Sequence, residues 1–217
     1  MSEDLVARVL AVAIMLLVGF PVHEFAHALA AYRLGDSTAK HLGRLTLNPI
    51  AHFDPLGGIL LAVTFIGSSF GFGWAKPTPV NPNNLEGGRY GEAIVAAAGP
   101  ISNFILAVIV ALPLRYLGDN PDLAQQIPAL VLDVLVFFVF INVVLMVFNL
   151  FPVPPLDGSK VLFAFLPPRL SWQWRPILEQ YGLFILLILF FFPPNNSIGG
   201  MILRPLLDSI FNFLVGT

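Results

Sequence analysis

The sequence contains no cysteine and very little charge. Only 11% of its 217 residues are charged, against about 25% in an average soluble domain. The missing cysteines exclude disulfides, thiol redox chemistry and thiolate metal ligands. The formal net charge of −2 gives no electrostatic basis for binding nucleic acid. These absences exclude most classes of soluble protein.

Apolar residues take the place of the missing charges. They make up 57% of the chain, and the mean hydropathy is +0.82. A membrane-spanning helix needs about 20 apolar residues. The sequence therefore predicts an all-α polytopic membrane protein in the lipid bilayer, a single domain over 1–217 with five or six transmembrane helices. The clear apolar runs cover 5–31, 91–117, 128–150, 177–192 and 198–216.

The segment 56–85 is apolar at first but is broken by glycines and then by prolines. The Lys and Arg residues divide unevenly between the two sides of the membrane only if 56–72 does not cross it. The sequence therefore predicts a re-entrant or β-hairpin segment around 56–85, with the N-terminus outside and residues 36–90 cytoplasmic. In this arrangement the helices over 5–31 and 128–150 run parallel.

Three ionisable residues lie close together inside the first apolar run. His23 and His27 are four residues apart, so they share one face of a helix, and Glu24 is beside them. This is the H-E-x-x-H spacing, in which two imidazoles bind zinc and the glutamate is the general base. A charge inside a membrane span costs about 2.5–3.5 kcal/mol, so such residues indicate function. We interpret them as part of a zinc site rather than as polar residues tolerated in a bundle.

A catalytic zinc ion usually has three protein ligands, so the motif predicts a third. Asp157 is the best candidate, because it follows a Pro-rich break at 151–155 where the helix must open. Spacing alone explains Asp157 equally well as a turn residue. The parallel helices, however, would bring it to the membrane face that holds His23 and His27. The other candidates are His41, His52, Asp54, Asp133 and Glu179.

Three sequence blocks resemble the site-2 protease family of intramembrane zinc metalloproteases. They are HEFAH (23–27), GPISN (99–103) and NLFPVPPLDG (149–158). The resemblance covers a catalytic core of about 5–165, with accessory helices over about 175–217. It implies one zinc ion per chain, bound by His23, His27 and Asp157.

The resemblance also implies roles outside the ligand set. Asn149 corresponds to an asparagine that contacts substrate or the oxyanion, and Gly99 and Asn103 correspond to a Gly-x-x-x-Asn element that we assign to substrate binding. Family members carry a membrane-embedded β-hairpin, which 70–85 is expected to supply as a strand for the substrate. The implied function is hydrolysis of peptide bonds in or near transmembrane segments of membrane-protein substrates. The expected location is a prokaryotic cell membrane, with the active site towards the cytoplasm.

Three other functions are compatible with a zinc site in a membrane protein. A catalytically silent binding protein has no need of Glu24. A metal transporter favours ionisable residues strung along a path, whereas here they are expected at one depth. A membrane-anchored zincin normally holds its third ligand in a soluble domain, which we do not expect in this chain. The intact motif therefore favours the protease.

Overall fold

The computed structural model describes residues 3–67, 73–193 and 197–216. These residues are mostly helical and contain no strand. A π-helical turn (Met15–Gly19) joins α1 to α2, and a 3₁₀ turn covers Pro82–Asn84. The helices are α1 (Glu3–Ile14), α2 (Phe20–Arg33), α3 (Thr38–His41), α4 (Pro49–His52), α5 (Pro55–Gly67), α6 (Arg89–Gly118), α7 (Pro121–Ala124), α8 (Ala129–Asn149), α9 (Asp157–Phe165), α10 (Pro168–Phe191) and α11 (Ile198–Val215).

Five spans in the described part of the chain are long and apolar enough to cross a membrane. The first is continuous through α1, the π-helical turn and α2, over Leu5–Arg33, and the others are α6, α8, α10 and α11. The prediction of an all-α polytopic membrane protein is confirmed.

The segment expected to be re-entrant or a hairpin begins with a helix. This helix, α5, has 13 residues and is about 20 Å long, whereas the hydrocarbon core of a bilayer is about 30 Å thick. The chain over 73–81 is extended and forms no strand. Part of the expected hairpin, 68–72, lies outside the described residues. Within the described residues, this segment is a short helix followed by extended chain.

Two contacts define the direction of the first span relative to α8. The Arg8 guanidinium lies 5.3 Å from the centre of the Phe137 ring. Further along the same span, a Cβ at Gly19 would lie 3.6 Å from the Oδ1 atom of Asn142. The first span and α8 therefore run parallel, as the charge distribution predicted.

Small side chains let α6 and α8 pack closely beyond this point. Ala107 and Ala111 are one helical turn apart on α6, and both are buried. They belong to one apolar cluster with Val139 and Val143 of α8 and with Leu203 of α11. This cluster holds the two helices at close distance next to the polar residues that face α2.

The end of α2 is built by a glycine. Gly35 has a φ of 97°, a conformation that suits glycine. The N–H of Asp36 donates to the carbonyl oxygen of Ala31 at 2.9 Å, which completes a Schellman motif. The chain therefore leaves the helix with the Asp36 carboxylate turned inward, where it is fully buried.

Asp36 joins the end of α2 to the segment that leads back to α6. Its carboxylate accepts hydrogen bonds from the backbone N–H of Asn81 at 2.7 Å, from Thr38, and from the side-chain amide of Asn84 at 3.1 Å. Burial alone would raise the pKa of Asp36, but these hydrogen bonds hold that pKa below its usual value. Asp36 therefore fixes one end of the extended segment.

Replacing Asp36 with Asn is expected to destabilise the protein by about 2 kcal/mol, since a hydrogen bond to a charged group contributes roughly 1.5–3 kcal/mol. The pKa of Asp36 is lower in the folded than in the unfolded state, so its stabilisation is complete above the unfolded pKa and is lost as pH falls through the folded pKa. Thermal unfolding in detergent should show the full difference in unfolding temperature between wild type and Asp36→Asn at neutral pH. The difference should be smaller below about pH 4. The control is Asp122→Asn, at an exposed position on α7. Equal losses in both variants would contradict the role of Asp36.

Candidate metal centre

Three side chains from two distant parts of the chain converge at the middle of the bundle. His23 and His27 are buried on α2, and Asp157 is the first residue of α9. The Nε2 atoms of the two histidines are 3.0 Å apart. The Oδ2 atom of Asp157 lies 3.3 Å from Nε2 of His23 and 3.1 Å from Nε2 of His27. Among the described residues, no other three His, Asp or Glu side chains come together in this way.

The break between α8 and α9 positions Asp157. Gly158 lies so close to the end of α8 that a Cβ there would overlap the carbonyl groups of Leu150 and Phe151. Glycine at this position therefore lets α9 begin directly against the end of α8. Asp157 is buried as a result, and its Oδ1 atom lies 3.5 Å from Nζ of Lys160.

Each imidazole is oriented by an acceptor on α6. The Nδ1 atom of His27 lies 2.7 Å from the carbonyl oxygen of Val95, and the Nδ1 atom of His23 lies 2.5 Å from Oδ1 of Asn103. The backbone carbonyl of Val95 only accepts, so Nδ1 of His27 carries the proton and its Nε2 atom presents a lone pair. With the amide oxygen of Asn103 turned to His23, the same holds for that ring. Such partners are typical of histidines that bind metals.

The donor set fits a zinc ion. Lone pairs on two nitrogens and a carboxylate oxygen, all within 3.3 Å of one another, repel unless a proton or a cation lies among them. In a tetrahedral zinc site with bonds of about 2.0–2.1 Å, ligand atoms are separated by about 3.3–3.4 Å. The observed separations of 3.0, 3.1 and 3.3 Å reach this range or are up to about 0.3 Å shorter, so the three atoms need only a small outward shift to take the ion. A set of three protein ligands is the number found in catalytic zinc sites.

Glu24 is held by the extended segment 76–81. The backbone N–H of Thr78 donates to Oε2 of Glu24 at 2.7 Å, and the Thr78 hydroxyl donates to the backbone carbonyl of Glu24 at 3.0 Å. Pro77 and Pro79 keep the chain on both sides of Thr78 extended. One carboxylate oxygen is therefore fixed in position, and Oε1 retains the capacity to accept a proton.

The segment 76–81 is itself held by its backbone groups. The N–H of Lys76 donates to the carbonyl of His52 at 2.9 Å. The buried Arg44 donates to the carbonyls of Lys76 and Pro77, at 3.4 and 3.2 Å. The contacts suit the segment to hold Glu24 in place.

The Gly-x-x-x-Asn element lies against the two imidazoles. A Cβ at Gly99 would lie 2.6 Å from Nε2 of His23 and would overlap Nε2 of His27. Asn103 is fully buried, and its oxygen is turned to His23. Both residues therefore contact the histidines, and their assignment to substrate binding stays a prediction.

Asn149 makes its side-chain hydrogen bond elsewhere. It is the last residue of α8 and is half-buried. Its Nδ2 atom donates to the carbonyl of Leu145 at 2.9 Å, within its own helix. Its contact with an oxyanion stays a prediction.

Asn142 was not among the site residues predicted from the sequence. This residue is fully buried on α8, and its Oδ1 atom accepts a hydrogen bond of 2.9 Å from Nδ2 of Asn103. Its own Nδ2 atom donates to the carbonyl of Phe138 at 2.9 Å. A polar side chain in the middle of an apolar span was the signal that could have identified it.

The fold and the site define a class of protein: a membrane-embedded metallopeptidase with an H-E-x-x-H helix and a carboxylate from a broken helix. The sequence profile of Peptidase family M50 matches residues 120–189. A Bacillus subtilis protein named "Putative zinc metalloprotease YwhC" is 41% identical over 198 residues, which cover 90% of this chain and 85% of that protein.

More distant relatives agree. Two proteins named Rip2, with the same description, come from Mycolicibacterium smegmatis and Mycobacterium tuberculosis. They are 31% and 32% identical over 83% of this chain and 66% of their own lengths. No solved structure matches the chain. The chain belongs to peptidase family M50 and is a zinc metalloendopeptidase.

Proposed function

We propose that this enzyme hydrolyses peptide bonds within or next to the transmembrane helices of membrane-protein substrates. The observation that carries the proposal is the convergence of His23, His27 and Asp157 inside a bundle of membrane-spanning helices. These three residues hold the zinc ion. A site in this position reaches peptide bonds that lie at membrane depth and that a soluble peptidase does not reach.

Each remaining residue has a separate task in the proposed reaction. Zinc, when bound, supplies a Lewis acid that lowers the pKa of water and polarises the scissile carbonyl. Glu24 accepts the proton of the attacking water at Oε1 and delivers it to the leaving nitrogen. Thr78 holds the other oxygen of Glu24. Asn149 gives up its hydrogen bond to Leu145 and donates its amide to the oxyanion.

The distribution of Lys and Arg supports an active site towards the cytoplasmic side of a prokaryotic cell membrane. With five spans and α5 not crossing, Arg8 and Arg115 lie on the opposite side, and Arg204 lies within α11 and is counted on neither side. An excess of Lys and Arg marks cytoplasmic loops, and the relatives are bacterial. The basic residues on the proposed cytoplasmic side are Arg33, Lys40, Arg44, Lys76, Arg89, Lys160, Arg169 and Arg175.

The first test measures zinc per polypeptide in detergent-purified wild type and in Asp157→Ala. We expect about one zinc ion per wild-type chain, as in a three-ligand catalytic site. The variant should bind zinc more than about 100-fold more weakly, because loss of an outer partner alone weakens binding by 10–100-fold. Asp133→Ala, at an exposed position on α8, is the matched control and should keep its zinc.

Two results would change the assignment. Full zinc retention by Asp157→Ala would move the third ligand to another residue. A wild-type protein that takes up no zinc after metal loading would contradict the site altogether.

A further inference from the structure

We propose that Asn142 positions His23 for metal binding, acting through Asn103 to keep the imidazole proton on Nδ1. The inference rests on the proposed function, since it concerns the same metal site. Asn142 lies outside the three sequence blocks and contacts neither the histidines nor Asp157 through a hydrogen bond in the described structure.

Three hydrogen bonds lead from the backbone of α8 to the imidazole. The Nδ2 atom of Asn142 lies 2.9 Å from the carbonyl oxygen of Phe138. The Nδ2 atom of Asn103 lies 2.9 Å from Oδ1 of Asn142, and Oδ1 of Asn103 lies 2.5 Å from Nδ1 of His23. Both asparagines are fully buried, so water does not compete for these bonds.

The direction of the chain of hydrogen bonds is fixed at its far end. The carbonyl of Phe138 has no proton and only accepts, so the amide nitrogen of Asn142 must face it. The oxygen of Asn142 then faces Asn103 and receives its amide nitrogen. Asn103 consequently turns its oxygen to His23, and Nδ1 of His23 must supply the proton. The Nε2 atom of His23 is left with a lone pair that points at the other two ligand atoms.

Asn103 alone does not determine this outcome. A side-chain amide carries both a donor and an acceptor, and a freely turning Asn103 could donate to Nδ1 of His23 instead. The imidazole proton would then lie on Nε2, the atom that has to bind the metal. His27 needs no such relay, because its Nδ1 atom meets the backbone carbonyl of Val95 directly. By fixing the orientation of Asn103, the amide of Asn142 keeps the proton of His23 on Nδ1. The backbone carbonyl of Val95 does this directly for His27.

The test is zinc affinity, measured by chelator competition on purified, folded protein. Asn142→Leu removes both hydrogen bonds but keeps the side-chain size similar. We expect its zinc affinity to fall by roughly 10-fold or more, since partners of metal-bound histidines contribute 10–100-fold. Val143→Ala is the matched control, at the next position on α8 and also fully buried. It should lower the unfolding temperature but leave zinc affinity unchanged.

A double variant separates a relay from two independent effects. Asn103→Leu should weaken zinc binding, and adding Asn142→Leu to it should cause little further loss, because both residues act through His23. Fully additive losses would overturn the relay. An Asn142→Leu variant that binds zinc as tightly as wild type would also overturn it.

The outcomes distinguish this inference from the proposed function. If wild type binds no zinc, the metal site itself fails and the relay fails with it. If wild type binds zinc and Asn142→Leu does so equally, only the relay fails. Should Asn142→Leu not fold, nitrogen NMR of histidine-labelled, zinc-free wild type decides instead. A proton on Nδ1 of His23 is expected, and a ring protonated only at Nε2 would overturn the proposal.

Discussion

Replacing Glu24 with Gln is expected to slow peptide hydrolysis by roughly 10²–10⁴-fold and to leave zinc bound. A general base contributes about that factor, and a neutral amide does not accept the proton of water. Glutamine has the length of glutamate and can still accept the hydrogen bond from the N–H of Thr78, so the segment 76–81 should keep its position. Zinc content should not change, because Glu24 is not one of the three converging residues.

The substrate for this measurement is a synthetic transmembrane peptide with a helix-breaking Asn-Pro centre, reconstituted with the enzyme in proteoliposomes and followed by mass spectrometry. The same peptide with a continuous helix should be cleaved more slowly, because helical hydrogen bonds shield its carbonyls. Glu86→Gln, an exposed position before α6, is the control. Hydrolysis at the wild-type rate by Glu24→Gln would place the general base elsewhere. If the enzyme cleaves a soluble protein such as casein but not the membrane peptide, the proposed intramembrane substrate is wrong and the peptidase activity stands.

The transmembrane helices were predictable because contact with lipid requires long apolar runs. The predicted run 128–150 agrees with α8 to within a residue, and the predicted run 91–117 agrees with α6 to within two. The run 177–192 recovered only part of α10, which begins at Pro168. Arg175 near the start of α10 donates to both carboxylate oxygens of Glu92 on α6, at 3.1 and 2.7 Å. The beginning of α10 is polar, so hydropathy does not detect it, and it contains one partner of this tertiary ion pair.

The conformation of residues 73–88 could not be derived in the same way. It depends on hydrogen bonds to residues far away in the sequence, such as that from Thr78 to Glu24 and that from Asn81 to Asp36. No local pattern encodes those partners. Prolines at 77 and 79 indicated extended chain, but they did not indicate that this chain packs on the H-E-x-x-H helix.

Some residues of the candidate site were also predictable from the sequence, and others were not. His23, Glu24 and His27 follow from helical spacing within five residues. The helix directions inferred from charge were compatible with Asp157 as the third ligand, and the resemblance to the site-2 protease family assigned it. The positions of Gly99 and Asn142 depend on how closely α6 approaches α2 and α8. Distances between helices are set by packing, so residue spacing alone could not assign these two to the imidazoles.

Replacing Gly99 with Ala should abolish zinc binding and proteolysis together. The new methyl group would lie 2.6 Å from Nε2 of His23 and would overlap Nε2 of His27. Zinc needs to be about 2.0–2.1 Å from both nitrogens, and a methyl group this close to both would push the two imidazoles out of the positions in which they converge. The effect should exceed that of losing one ligand, because both histidines are blocked at once.

The substitution itself favours the helix, because alanine stabilises a helical position by about 1 kcal/mol over glycine. Gly118→Ala tests the change in helix propensity alone, since Gly118 lies at the other end of α6 and a Cβ there meets nothing within 4 Å. We expect the Gly118 variant to keep zinc and activity. Comparing Gly99→Ala with Glu24→Gln then gives two inactive enzymes, of which only the second contains zinc. A Gly99→Ala protein with a full complement of zinc would show that α6 does not approach the imidazoles this closely.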